Sequence, residues 1–160
     1  MAGFGKKQIH LVVAFCVYWM IVIYFVFFGM RTVSDLAADA NLREFSNFIP
    51  FATIVGYIVS LCEHTVDLWT VLRNLLGNVI MAIPLGILLP ALFRRMRWIS
   101  ATVITTVSVT FVLEFFQLIW KLGSFDVDCL LLRGAGAAVG FVLWRMLDRK
   151  NNKEKSSADG

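Results

Sequence analysis

Residues 98–120 carry a single charged side chain, Glu114. The run is long enough to cross a lipid bilayer, which takes about 20 mainly apolar residues. Three further stretches read the same way: residues 9–29, preceded by Lys6 and Lys7, residues 75–93, and residues 130–147. The first is too long for a signal-peptide core and no A-x-A site follows it, so it reads as an uncleaved signal anchor. Pro84 and Pro90 fall in the second, where neighbouring helices can satisfy the carbonyls they free. Composition leaves little room for another class. Hydrophobic residues make up 59% and charged residues 16%, against roughly 45–50% and 25% in soluble proteins, and mean hydropathy is +0.75. A soluble chain of 160 residues could not bury so much apolar surface. A soluble enzyme, a disordered chain and a disulfide-stapled secreted module are excluded.

The charges sort by side of a membrane. With the N-terminus inside, Lys6, Lys7, Arg94, Arg95, Arg97, Arg145, Arg149, Lys150, Lys153 and Lys155 face the cytoplasm. Arg31, Arg43, Arg73, Lys121 and Arg133 fall on the outer side. Short cytoplasmic loops are enriched in Lys and Arg, so both termini are expected inside. The net charge of +4 therefore reflects topology, and no nucleic-acid partner is expected. The outer loop, residues 30–74, opens polar. Phe48-Ile49-Pro50-Phe51 then begins an apolar segment, residues 48–62, that is short for a span and reads equally as an interfacial or re-entrant helix or as a packing lid. A fifth span would place Arg94, Arg95 and Arg97 outside. The expected fold is an all-α membrane protein. It is a four-transmembrane-helix bundle with an interfacial or re-entrant helix in the first outer loop. One domain covers residues 1–150, and residues 151–160 form a disordered cytoplasmic tail. Cys62 and Cys129 could share a side of the membrane; two free thiols are favoured over a disulfide, because spacing alone does not bring them within bridging range.

Polar side chains inside spans are costly and mark functional sites by default. Here they are Asn74, Asn78, Glu114, Gln117 and Arg133, with Asp126 and Asp128 just before the fourth span. At about 1.5 Å rise per residue, Asn78, Glu114 and Arg133 fall at similar depth on three helices, in the outer leaflet. Asn74 with Asn78, and Glu114 with Gln117, share helix faces by spacing. Glu114 and Arg133 have opposite signs at one depth and are each other's natural partner. The cluster reads either as interhelical glue or as a substrate site, and the two acids at the same edge favour the site. For an enzyme, Glu114 or Asp126 would be the general base and Asp128 a second acid. Arg133 and Arg73 would neutralise phosphate oxygens, and Asn74, Asn78 and Gln117 would orient a head group. Arg73 also fits a solvated helix end. His10 and His64 have no ligand-spaced partners, so no metal and no cofactor is expected. The run from Gly134 to Gly140 lacks the strand and Lys-Ser/Thr of a nucleotide loop; its small residues suit close helix packing.

A resemblance follows from these residues taken in order: Phe48-Ile49-Pro50-Phe51, Asn74-x-x-x-Asn78, Ile83-Pro84-Leu85-Gly86-Ile87-Leu88-Leu89-Pro90, Glu114-x-x-Gln117, Phe125-Asp126-Val127-Asp128, then Gly136 and Gly140. Over about residues 45–145 the chain resembles the VanZ-like family of small bacterial membrane proteins, named for a teicoplanin-resistance determinant. It departs from the family pattern at Cys129, where a further Asp is usual, and at Arg133, where an Asn is usual. The resemblance implies a plasma-membrane protein associated with resistance to lipoglycopeptide antibiotics. Its partner would be a membrane lipid, a lipid-linked cell-wall intermediate or the antibiotic itself, and its act the binding or modification of a head group. Non-enzymatic shielding of the membrane, or an accessory-subunit role, are the alternatives. The oligomeric state is left open.

Overall fold

A computed structural model describes residues 6–24, 47–120 and 125–158. Among them the chain is all-helical: α1 (Lys6–Tyr24), α2 (Ala52–Cys62), α3 (Leu68–Leu92), a 3-10 turn (Arg94–Met96), α4 (Ile99–Ile119) and α5 (Val127–Ala158). Among the described residues, three segments are long and apolar enough to cross a membrane: Leu68–Leu92, Ile99–Ile119 and Val127–Lys150. The first expected span, 9–29, is helical as far as Tyr24, and its last five residues lie outside the described residues.

Several boundaries move. α3 begins at Leu68 rather than 75, because Asp67 caps it: its carboxylate accepts the Thr70 N–H at 3.0 Å and the Thr70 hydroxyl at 2.6 Å. Arg73 and Asn74 thus belong to the helix, not to a loop. α5 begins at Val127 rather than 130, and puts Asp128 in its first turn. The tail expected to be disordered from 151 instead continues as helix to Ala158. Of the apolar segment 48–62, only Ala52–Cys62 is helical, and residues 48–51 form a turn ahead of it.

The bundle is organised on α3. Its closest partner is α5, which runs parallel to it, as the contacts of Gly136 with Val79 and of Gly140 with Ile83 show. A Cβ at Gly86, Gly136 or Gly140 would overlap the carbonyls of Ala137, Val79 or Ile83. Small residues therefore set the helix separation, as at Gly-x-x-x-Gly crossings in membranes. α4 runs antiparallel to both and packs mainly on α5, and α1 packs antiparallel on α3, with the Tyr18 hydroxyl donating to the Met81 carbonyl at 3.1 Å. The N-terminal half of α1 lies at the same end as the Arg94–Met96 turn, through the Phe15–Phe93 ring contact. Arg97 stacks over Trp144 of α5 at that end.

The core sorts its side chains unusually. α3 and α5 bury Ala82, Leu85, Leu88, Leu89, Leu130, Ala137 and Phe141, but the buried face of α4 is Thr102, Thr106, Thr110, Glu114 and Gln117. These recur every three or four residues, so they line one face. Thr102 and Thr106 turn their hydroxyls onto the carbonyls of Met96 and Thr102, at 2.7 and 2.9 Å. The apolar residues of α4, such as Ile104, Phe111 and Ile119, point outward.

Candidate functional site

At the end of the bundle remote from Arg94 and Arg97, three helices converge on one ion pair. Arg133 Nη1 lies 3.2 Å from Glu114 Oε1, and the Glu114 side chain is 5% exposed. Arg133 Nε–H also donates to Asn78 Oδ1 at 3.1 Å, and the Asn78 amide donates to the Asn74 carbonyl at 2.8 Å. The pairing expected from depth and sign is therefore present, with α3 contributing the amide, α4 the carboxylate and α5 the guanidinium. Helix rise explains the meeting: each residue sits one to three turns in from the same end of its helix. Gln117, one turn on from Glu114, is buried on the same face.

The acids at the start of α5 divide by role. The Asp126 N–H donates to Glu114 Oε2 at 3.4 Å, which ties the turn to the ion pair. Asp126 Oδ1 accepts from the Asn47 amide at 3.2 Å and from the Asp128 N–H at 2.9 Å, while its Oδ2 faces the Cys129 thiol at 3.7 Å. Asp128 is fully buried, and both its oxygens are used by backbone: Oδ1 accepts the Phe51 N–H and Oδ2 the Ile54 N–H at 3.1 Å. Asp128 thus caps the N-terminus of α2 from another helix.

The segment before α2 is docked on the same turn. Asn47 N–H donates to the Phe125 carbonyl at 2.8 Å, Val127 N–H donates to the Asn47 carbonyl at 3.1 Å, and the Phe48 ring stacks on Phe125. Asn47 also reaches the Thr53 hydroxyl at 3.0 Å. Tyr57 of α2 faces the cluster. Burial lifts its phenol above the ordinary value, and the neighbouring Cys129 and Asp126 lift it further.

Arg73 is exposed in α3 and adds no contact to the cluster. Asn74 enters through its backbone carbonyl. Sequence reasoning missed Asn47, Thr53 and Tyr57. A lone Asn ahead of an aromatic turn carries no local signal, and Thr53 and Tyr57 are unremarkable within an apolar segment. The three cysteines are free thiols, with Cys62 exposed, so the Cys62–Cys129 disulfide is not formed. Among the described residues no group of three or more His, Cys, Asp or Glu gathers closely enough to hold a metal. A cavity of about 20 Å³ lies beside Arg133, between Tyr18, Trp19, Leu85, Thr106 and Thr110.

These features define a class: a chain that is all-helical among the described residues, with three membrane-length apolar helices there that bury a hydrogen-bonded ion pair between them. The VanZ/LLP1 family model matches residues 15–148, most of the chain and the whole of the cluster. The protein belongs to the VanZ/LLP1 family. Comparisons with curated proteins and with solved structures returned no match.

Proposed function

We propose that the protein is a four-span bacterial plasma-membrane protein with both termini cytoplasmic. In this reading α2 lies at the outer interface, and the Glu114–Arg133–Asn78 cluster with Asp126 binds or modifies an amphiphile's head group there. The substrate class is a membrane lipid or a lipid-linked cell-wall intermediate, and the cellular outcome is reduced susceptibility to teicoplanin-type lipoglycopeptides. The observation that carries this is the convergence of a carboxylate, a guanidinium and an amide from three separate helices at one depth. A membrane bundle needs no such set to hold together, and intramembrane ionisable groups mark sites by default. Apolar residues exposed on α2 (Val55, Ile58 and Val59) suit an interfacial position. In an enzyme, Glu114 or Asp126 would be the base, while Arg133 would hold anionic oxygens and Asn78 and Gln117 would orient the substrate. Asp128 is assigned to capping rather than to acid–base work, and Arg73 to a solvated helix end.

A second reading has its own support. The ion pair is internally satisfied and the adjoining cavity is small, as expected of an accessory subunit, and the exposed apolar residues of α2 would serve a non-enzymatic lipid or antibiotic binder. Teicoplanin susceptibility in a Gram-positive host separates the readings, using wild type, Glu114→Gln and Asp126→Asn at matched membrane levels. Protection lost in either variant supports head-group chemistry. Protection that survives both supports shielding, and no protection by wild type removes the antibiotic from the reading.

A further inference from the structure

The geometry points to residues 47–62 acting as a latched lid over the polar cluster, with Asp128 as the positioning residue that holds it shut. This rests on the head-group reading, because a closed cluster needs a lid only if something must enter. Glu114 is 4% exposed and Asp128 is fully buried, and the small cavity beside Arg133 lies on the α1 side, lined by neither Glu114 nor Asp126. A head group can reach the Glu114 carboxylate only if an element moves.

α2 is the element with least to hold it. None of its residues is fully buried. It is fastened at its N-terminal end, by the Phe51 and Ile54 N–H groups on Asp128, by Asn47 bridging Thr53 to Asp126, and by the Phe48 ring stacked on Phe125. Segments with few buried apolar contacts open at lower free energy than the bundle beneath them. The latch is also strained. Ile49-Pro50-Phe51-Ala52 is a type II turn, closed by the Ala52 N–H on the Ile49 carbonyl at 3.2 Å, and Phe51 at φ 68°, ψ 0° occupies the position that favours glycine. The Phe51 ring is 60% exposed, so packing against the bundle does not offset that strain. Asp128 accepts the N–H of the strained residue itself. Losing that bond frees Phe51 to return to negative φ, which turns the chain entering α2 away from the cluster. Cys129, beside Asp126 and facing Tyr57, lies where such an opening would expose it.

The test uses Cys129 as the reporter in the full chain with Cys16→Ala and Cys62→Ser, reconstituted in phosphatidylglycerol/phosphatidylethanolamine nanodiscs. The rate of Cys129 labelling by a small methanethiosulfonate is measured. Asn47→Ala and Asp128→Ala are expected to raise the rate roughly ten-fold or more, and Phe51→Gly, which relieves strain with the latch intact, to lower it several-fold. Asn47→Ala and Phe51→Gly change no charge, Phe51→Gly also leaves the Asn47 and Cys129 contacts of Asp126 in place and so reports access rather than thiol electrostatics, and the two decide the matter if Asp128→Ala does not fold. Rates within about two-fold of the parent in both would overturn the lid. Lipid retention, measured on the parent and on Glu114→Gln in the same background, keeps the two proposals apart. Shifted labelling with retention unchanged by Glu114→Gln upholds the lid and sinks the head-group reading. Unchanged labelling with retention lost in Glu114→Gln sinks the lid alone.

Discussion

Glu114 and Arg133 neutralise each other across two helices. Removing one partner of a buried pair leaves the other charge uncompensated, which costs about 3–5 kcal/mol, whereas replacing both with apolar groups is often neutral. Arg133 keeps some exposure, so Glu114→Ala should cost about 3 kcal/mol, and Glu114→Ala with Arg133→Met should recover most of it. Reversible unfolding in detergent measures both, and additive losses would contradict the coupling. This pair was legible in the sequence, because depth and sign need only a helix rise and a count of residues. The role of Asp128 was not. Its partners are backbone N–H groups some 77 residues away, and a backbone amide leaves no mark in a sequence. An acid next to another acid reads as chemistry, while here one of the two is a cap.

At the scale of elements, the start of α3 and the α3–α5 seam each make a prediction. Hydrogen bonds from Thr70 hold the Asp67 carboxyl below its ordinary pKa. A depressed folded pKa gives stability that is present above the unfolded value and lost as pH falls through the folded one. Asp67→Ala should therefore lower the thermal midpoint at neutral pH, and the difference from wild type should vanish in acid below that folded value. An equal gap at both pH values would count against the cap. On the seam, Gly140→Leu places a side chain into the Ile83 carbonyl. It should cost at least about 1–3 kcal/mol through overpacking, while the same change at Gly77, where a Cβ meets nothing, should be mild. Close packing was visible from Gly136 and Gly140, but not that α3 would be the helix they meet. The early start of α3 was missed although Asp67 stands directly before Leu68-Trp69, because hydropathy weighs side chains and not caps.

For the whole molecule, the sequence conveyed the apolar helices and the end at which the polar groups gather, but not what covers them. The N-terminal half of α1, the Arg94–Met96 turn and the far half of α5 share one end. In right-side-out vesicles, single cysteines at positions 3 and 156 should both resist an impermeant maleimide until the membrane is opened; labelling of either from outside would reverse the proposed orientation. The parallel pairing of α3 with α5 also bears on how the protein is made. Asn78 and Glu114 leave the ribosome before Arg133, so the translocon receives an α4 whose carboxylate has no counter-ion yet. A charge in a span disfavours insertion by about 2.5–3.5 kcal/mol at the helix centre and by less toward the end, where Glu114 stands. Until α5 arrives, that carboxylate carries its desolvation alone, and the ion pair ties the settling of α4 to the insertion of the last helix.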